Sequence, residues 1–231
     1  MNNIEFFNIY EDVSKEYAPV PASKIIPEWY KKTQSYMGDG TKKIVDNGTS
    51  GTIKKCIPVL DSISSGYLIL THCDISIEWD GISYTYNAPH NNFKFIGHHP
   101  LDQALLYPDK GFDITDIPKY INPWGIKTPK GYSCIFLPPM HRENYISILP
   151  GIVDTDNYNN PVQLPFIINK KEQDFIIPAG TPIAQVIPFK RESWNKNITE
   201  NSKYAKITKR LNDSKFFDAY KKIFWAKKEY R

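Results

Sequence analysis

The sequence predicts a mainly β fold: a barrel of short strands with an irregular N-terminal arm and a helical, basic C-terminal tail. Three observations predict it. Short apolar runs recur along the middle of the chain, separated by Pro or Gly, a pattern of short strands joined by tight turns. From Gly66 to Trp79 apolar and polar residues alternate with period two, which suits a half-buried strand or a bent pair of strands. After Phe189 the character changes, with no Gly or Pro from Lys190 to Arg231, so that stretch is free to be helical. The expected divisions are 1–50, an arm; 51–189, the barrel; and 190–231, the tail.

The arm is punctuated by Pro19, Pro21 and Pro27, and Trp29 and Tyr30 are expected to anchor it to the body. Gly38-Asp39-Gly40 and Asn47-Gly48-Thr49-Ser50-Gly51 are turn clusters. In the alternating stretch Tyr67, Ile69, Thr71, Cys73, Ile75, Ile77 and Trp79 share one face, and His72, Asp74, Ser76 and Glu78 the other. Asp80-Gly81 then signals a hairpin into Ile82–Tyr86. Ala88–Pro123 is loop-like, with His98-His99 at its middle. Strand-sized runs follow at Tyr132–Leu137, Tyr145–Ile148, Val162–Ile168 and Ile183–Phe189. In the tail Phe217, Tyr220 and Phe224 fall at helical spacing behind Ser214, a candidate N-cap, and a second helix is expected over Ser202–Leu211.

With 231 residues, 41% hydrophobic and 23% charged, the chain can bury a core. Its net charge is +4, but Lys190–Arg231 alone is net +8, leaving the preceding part at −4. Such a tail suits nucleic acid, an acidic partner or a membrane surface, or is simply a solvated helical face. Cys56, Cys73 and Cys134 are odd in number and widely spaced, which points to reduced thiols rather than a disulfide framework or a zinc knuckle. No apolar run approaches the ~18 residues of a membrane span, and Met1–Val13, with Glu5, Glu11 and Asp12, does not read as a secretory leader. The expected location is the cytoplasm.

Lys127-Thr128-Pro129-Lys130-Gly131-Tyr132 resembles the Pro-x-Gly-Tyr entry strand of the dUTPase and dCTP-deaminase superfamily. In the same order, Pro150–Tyr158 is similar to that family's Gly-Val-Ile-Asp-x-x-Tyr motif, and Ile177–Val186 resembles its Gly-x-x-Ile-Ala-Gln motif. The resemblance covers about a quarter of the chain and implies a β-clip barrel, a homo-oligomer, in that family a trimer, and a nucleotide between subunits. It implies that Asp154 orients the attacking water, that Tyr158 packs under the sugar and that Gln185 touches the phosphates. Over nearly its whole length the chain also resembles a family encoded by tailed phages and some bacteria, through Pro21–Lys24, Pro27–Lys32, Ile53–Pro58, Asn122–Trp124 and Gly180–Glu192. That implies a phage origin and carries no activity with it.

The departures decide the expected chemistry. Ser65-Gly66-Tyr67 resembles the start of the superfamily's first motif, Ala-Gly-Tyr-Asp-Leu, but Leu68 stands where that motif has its Asp. Leu137–Glu143 replaces the Ser-rich phosphate loop, Asn157 is inserted before Tyr158, and the tail has none of the glycines of a closing arm. A triphosphate needs several donors and countercharges, and few are visible. The expectation is therefore a protein that binds a nucleotide or related anionic ligand without hydrolysing it. Two alternatives stand: a hydrolase or deaminase with relocated phosphate ligands, and a structural or host-interaction protein, with the tail meeting a host or virion protein. The candidate site is Asp154 for catalysis and Arg142, Asp156, Tyr158 and Gln185 for ligand binding; no metal site and no cofactor is assigned. Three of these have a plainer structural counterpart, an Asx turn for the two aspartates and a surface ion pair for Arg142. His72-x-Asp74 and His98-His99 read either as metal ligands or as ordinary surface and loop residues, and Trp124 and Tyr132 either as base-stacking rings or as core packing.

Overall fold

In the computed structural model the described residues are 2–11, 13–45, 48–89, 93–104, 116–158, 160–170, 172–199, 202–213 and 220–231. Among them sixteen strands alternate with a few short helices. The strands are β1 (Glu5–Asn8), β2 (Val20–Pro21), β3 (Ile44–Val45), β4 (Gly48–Thr49), β5 (Tyr67–Leu70), β6 (Ile75–Trp79), β7 (Tyr84–Asn87) and β8 (Ile96–Pro100). They continue with β9 (Asp116–Ile121), β10 (Trp124–Lys127), β11 (Tyr132–Leu137), β12 (Ile146–Ile148), β13 (Gly151–Val153), β14 (Gln163–Ile168), β15 (Phe175–Ile177) and β16 (Pro182–Lys190). The α-helices are α1 (Glu28–Lys32), α2 (Ile57–Ser64) and α3 (Ser202–Asp213).

All pairings are antiparallel. The sheets run β13-β11-β16-β5-β2, β12-β14-β9-β8 and β15-β6-β7, with β1-β10 and β3-β4 as separate pairs. Period-two burial builds the core: Leu164, Phe166 and Ile168 of β14 and Ile75 and Ile77 of β6 point inward, with Tyr120, Phe95, Phe136 and Ile148 among them. β5 is buried on both faces. Ile69 faces this main core, while Leu68 and Leu70 join Ala22 in a second cluster with Tyr17, Val20 and Ile25 of the arm. The arm is therefore a cover for the outer face of the central sheet, and its expected irregularity is broken by β1, β2 and α1.

The alternating stretch is the bent pair: β5 and β6 lie in different sheets and the chain breaks over Thr71–Asp74. The break is held from afar, since Thr71 Oγ1 donates to the Pro178 carbonyl at 2.7 Å and Asp74 Oδ1 accepts from Ala179 N at 2.8 Å. The hairpin forms as expected, but its second strand starts at Tyr84, and Asp80 Oδ1 accepts from the amides of Ile82 and Ser83 to close the turn. The loop-like reading of Ala88–Pro123 is corrected by β8 and β9, which pair Ile96 with Tyr120 and His98 with Pro118. His98 is thus a strand residue, beside the Tyr86 ring. Gly66, at φ +70, is where β16 crosses closest, and a Cβ there would meet the Val186 carbonyl oxygen at 2.0 Å.

Asn47 of one expected turn cluster, and Ser214, Phe216 and Phe217 of the tail helix, lie outside the described residues. The second tail helix is α3, and Tyr220–Phe224 forms one π-helical turn with Tyr220, Ile223 and Phe224 exposed. What docks on the body is the segment after it. Trp225 Nε1 donates to both carboxylate oxygens of Asp61 at 3.1 and 3.0 Å, Lys228 pairs with Asp61 at 2.5 Å, and the Tyr67 hydroxyl donates to the Arg231 carbonyl at 3.2 Å. The three cysteines are free thiols: Cys56 exposed, Cys73 half-buried and Cys134 buried. No helix among the described residues is long and apolar enough to cross a membrane.

Candidate functional site

The sequence candidates fall at two ends of the central sheet. In the β11–β16 ladder Ser133 stands opposite Phe189 and Leu137 opposite Gln185. Four residues of strand separate these rungs by about 13 Å. Asp154, Asp156 and Tyr158 follow β13 at the first end, and Gln185 and Arg142 belong to the second.

At the first end the two aspartates meet a cation that sequence reasoning missed. Arg191, one residue beyond β16, reaches Asp156 through Nη1 to Oδ1 at 2.8 Å and Nη2 to Oδ2 at 2.5 Å. It also donates to Ser133 Oγ at 3.0 Å and lies 3.2 Å from Asp154 Oδ1. Ser133 Oγ donates to Asp154 Oδ1 at 2.6 Å, and Gly131 N donates to Asp156 Oδ2 at 2.8 Å. The Asp156 side chain is only 3% exposed. The Arg191 guanidinium, and then the Gly131 amide, hold the Asp156 carboxyl down at about 2. This bidentate pair ties the β13 turn to the point where the barrel passes into the tail. Asp154 is the freer carboxylate, its side chain 62% exposed, and Tyr158 is exposed beside it, its amide donating to the Asp154 carbonyl at 2.9 Å. The sequence carried one signal for the missing cation, the basic pair Lys190-Arg191 directly after the predicted strand Ile183–Phe189, but the surrounding lysines made it look like tail.

At the second end Gln185 is fully buried. Its Nε2 donates to the carbonyls of Ser62 at 2.8 Å and Ser65 at 2.7 Å, and its Oε1 accepts from Met140 N at 3.0 Å. The amide thus ties the C-terminal end of α2, where carbonyls lack helical partners, to β16 and to the loop after β11. Both amide protons and the oxygen are used within the chain.

That loop turns at His141, which has φ 57, and presents Arg142. The Arg142 Nη2 donates to the Ile25 carbonyl of the arm. Its Nε is buried without a hydrogen-bond partner among the described residues. Burial lowers the guanidinium from its ordinary value, and no carboxylate among the described residues pairs with it. Among the described residues Arg142 therefore forms no surface ion pair. Arg142 borders a cleft of about 760 Å³ with Trp29, His141, Glu143, Asn144 and Thr181. Of the two arm aromatics, Tyr30 is the buried anchor, its hydroxyl donating to the Lys54 carbonyl at 3.1 Å. Trp29 stays 40% exposed over the cleft, its indole N–H fixed on the His141 carbonyl at 2.8 Å.

The remaining candidates are placed elsewhere. Trp124 is buried and its Nε1 donates to His72 Nε2 at 3.0 Å, while His72 Nδ1 lies 3.2 Å from the Tyr120 hydroxyl. Both ring nitrogens of His72 are thus engaged inside the body, and Asp74 is spent on the Ala179 amide. His99 Nε2 sits 3.1 Å from Lys119 Nζ. No group of three or more His, Cys, Asp or Glu among the described residues is arranged to hold a metal ion. Tyr132 is half-buried, its hydroxyl accepting from Asn2 Nδ2 at 2.6 Å.

No family model matches the chain and no curated protein matches it. Among solved structures, the chain is similar to a mutant dUTPase from phage phi11 of S. aureus, described for its coordination of a structural Mg(II) ion. The TM-score is 0.34 at 12% identity, over 60% of this chain and 84% of that one.

Proposed function

We propose that this chain is a dUTPase-like β-clip scaffold, encoded by a phage, that binds a nucleotide or related anionic ligand without hydrolysing it. The observation that carries the proposal is Arg142: a half-buried cation with an unpartnered Nε, beside a fixed and exposed indole, on a cleft of about 760 Å³. A desolvated guanidinium without a countercharge is a site for an anion, and a cleft of this size lies within the range that takes a small ligand. The lean away from hydrolysis rests on two neighbours. Leu68 fills the first-motif position and is packed against the arm, and Asp154, though exposed, has its Oδ1 bonded to Ser133 with Arg191 beside it.

In this reading Arg142 is the ligand contact within one chain. Asp154, Asp156 and Tyr158 would face it only from another copy, consistent with a homo-oligomer, proposed as a trimer, and Gln185 would act by holding the Arg142 loop. The test is a titration of the purified protein with mono- and triphosphate nucleotides, run beside a pyrophosphate- and ammonia-release assay on dUTP and dCTP. Binding with no product release is expected. Product release that disappears in Asp154→Asn would make the protein an enzyme, and no heat of binding from any nucleotide would end the proposal.

A second reading is favoured by the tail. Trp194 is 85% and Ile198 80% exposed, and Tyr204 and Phe224 lie open among lysines. Such apolar residues on a basic segment suit a contact with an acidic host or virion protein. Co-purification of a defined acidic partner that is lost on deleting 192–224 would support it.

A further inference from the structure

We infer that the Trp29–Arg142 cleft is built for a nucleotide with one phosphate, a monophosphate or a cyclic phosphodiester, with its base on Trp29, and that it discriminates against triphosphates. The inference rests on the nucleotide-binding reading above and adds the ligand class. It comes from the charges and shapes around the cleft.

Arg142 brings the one fixed positive charge among the described lining residues, with His141 as the only other nitrogen base. Two carboxylates share the lining, Glu28 and Glu143. Glu28 is committed to Lys31 at 2.6 Å; no ion pair with Glu143 forms among the described residues. A cyclic phosphodiester brings about −1, which one guanidinium can match with a bidentate pair, and a phosphomonoester, at about −1.5 to −2 at neutral pH, leaves at most about one charge over. A triphosphate would bring several more charges toward Glu143 with nothing on the lining to receive them. Arg142 holds two donors of a kind that fit a single phosphate, the unpartnered but buried Nε and the Nη2 now resting on the Ile25 carbonyl, and both come within reach of a ligand when the side chain leaves Ile25. An incoming phosphate would take over that second donor.

The base would be read by stacking. Trp29 is held at its indole N–H by the His141 carbonyl, and it packs edge-to-face with Tyr30, ring centroids 5.5 Å apart. Its rotation is thereby restricted while two fifths of its surface stays open. A fixed, exposed ring beside a cation gives a base and its phosphate separate partners. Stacking tolerates any base, so the discrimination expected here is by phosphate charge.

The experiment is calorimetric titration of the full chain at fixed ionic strength with adenosine 5′-monophosphate, 3′,5′-cyclic adenosine monophosphate, adenosine triphosphate and inorganic phosphate. It is repeated for Trp29→Leu, Arg142→Lys and Arg142→Met, each first shown to melt cooperatively. The expected result is a Kd for the monophosphate or cyclic form at least tenfold below that for the triphosphate. Inorganic phosphate alone should bind weakly. Trp29→Leu should weaken the nucleotide about tenfold and leave phosphate unchanged, since a stacked base contributes on that order. Arg142→Met should weaken both, and Arg142→Lys, a charge without the fork, should fall between. A triphosphate that binds as tightly as the monophosphate overturns this inference and leaves the broader proposal standing. Nucleotide binding indifferent to Trp29→Leu and Arg142→Met overturns the assignment to this cleft. Silence from all three nucleotides overturns both.

Discussion

Replacing Gln185 tests whether that residue is a ligand contact or a structural tie. Gln185→Leu keeps side-chain size and removes three hydrogen bonds: the two that Nε2 donates to the Ser62 and Ser65 carbonyls and the one that Oε1 accepts from Met140 N. A neutral hydrogen bond contributes about 0.5–1.5 kcal/mol net, so three are worth about 3 kcal/mol. The near-equal volume leaves no large cavity to add to this. For a chain of this length that is a fall in Tm of about 6–12 °C. Urea unfolding followed by tryptophan fluorescence should show a lower midpoint with an unchanged slope. Gln185→Glu sharpens the test, because an ionised carboxylate would face two carbonyl oxygens with no proton to give. Its deficit should exceed that of the leucine variant at neutral pH and shrink as the pH falls and the carboxyl protonates. A loss below about 0.5 kcal/mol for Gln185→Leu, the level of an ordinary surface change, would refute the tie.

Two further predictions concern the anchors at the ends of the barrel. Asp156 is held at about 2 by Arg191, below the ordinary 3.8, so its contribution to stability is full above about pH 4 and is lost as the pH falls toward 2; Asp156→Asn should flatten the dependence of Tm on pH in that window, and an unchanged slope would count against the pair. Asp61→Ala removes the acceptor shared by Trp225 and Lys228 and should speed tryptic cleavage at Lys227 and Lys228 severalfold while the core melts almost as before; unaltered cleavage would mean that the last residues are held by other contacts.

Much of the strand pattern was legible because burial is periodic. Tyr132–Leu137 forms β11 with the expected bounds, and Val162–Ile168 and Ile183–Phe189 match β14 and β16 to within a residue. The reading failed where long-range hydrogen bonds decide. Alternation continues through Thr71–Asp74, yet the strand ends there because Pro178 and Ala179, more than a hundred residues away, supply the partners. β8 and β9 were missed because His98, His99, Pro100 and Pro118 break the apolar rhythm, while the pairing itself is carried by the backbone. The covering arm was equally hidden: Leu68 and Leu70 show that β5 is apolar on both faces, but nothing local says that Ala22, Val20 and Ile25 do the covering.

The candidate site was legible as residue types and illegible as a place. A motif fixes which residues occur in order, whereas their roles depend on what each side chain has already bonded. Gln185 and Asp156 are both saturated within the chain, the first by three backbone groups and the second by Arg191 and Gly131. A saturated buried group can hold a neighbour in place, but to bind a ligand it must first give up bonds worth about as much as it would gain. Arg142 is the opposite case. Its Nε is already desolvated and has formed no hydrogen bond in return, so part of the cost of binding an anion is met by the fold before the ligand arrives. That asymmetry favours the Trp29–Arg142 cleft over the aspartate end as the place where this chain meets its ligand. It also gives Gln185 its part: by gripping Met140 N it fixes the loop on which His141 and Arg142 stand, so Gln185→Leu should weaken nucleotide binding as well as stability, while Asp156→Asn, at the other end of the sheet, should leave binding within a single chain unchanged.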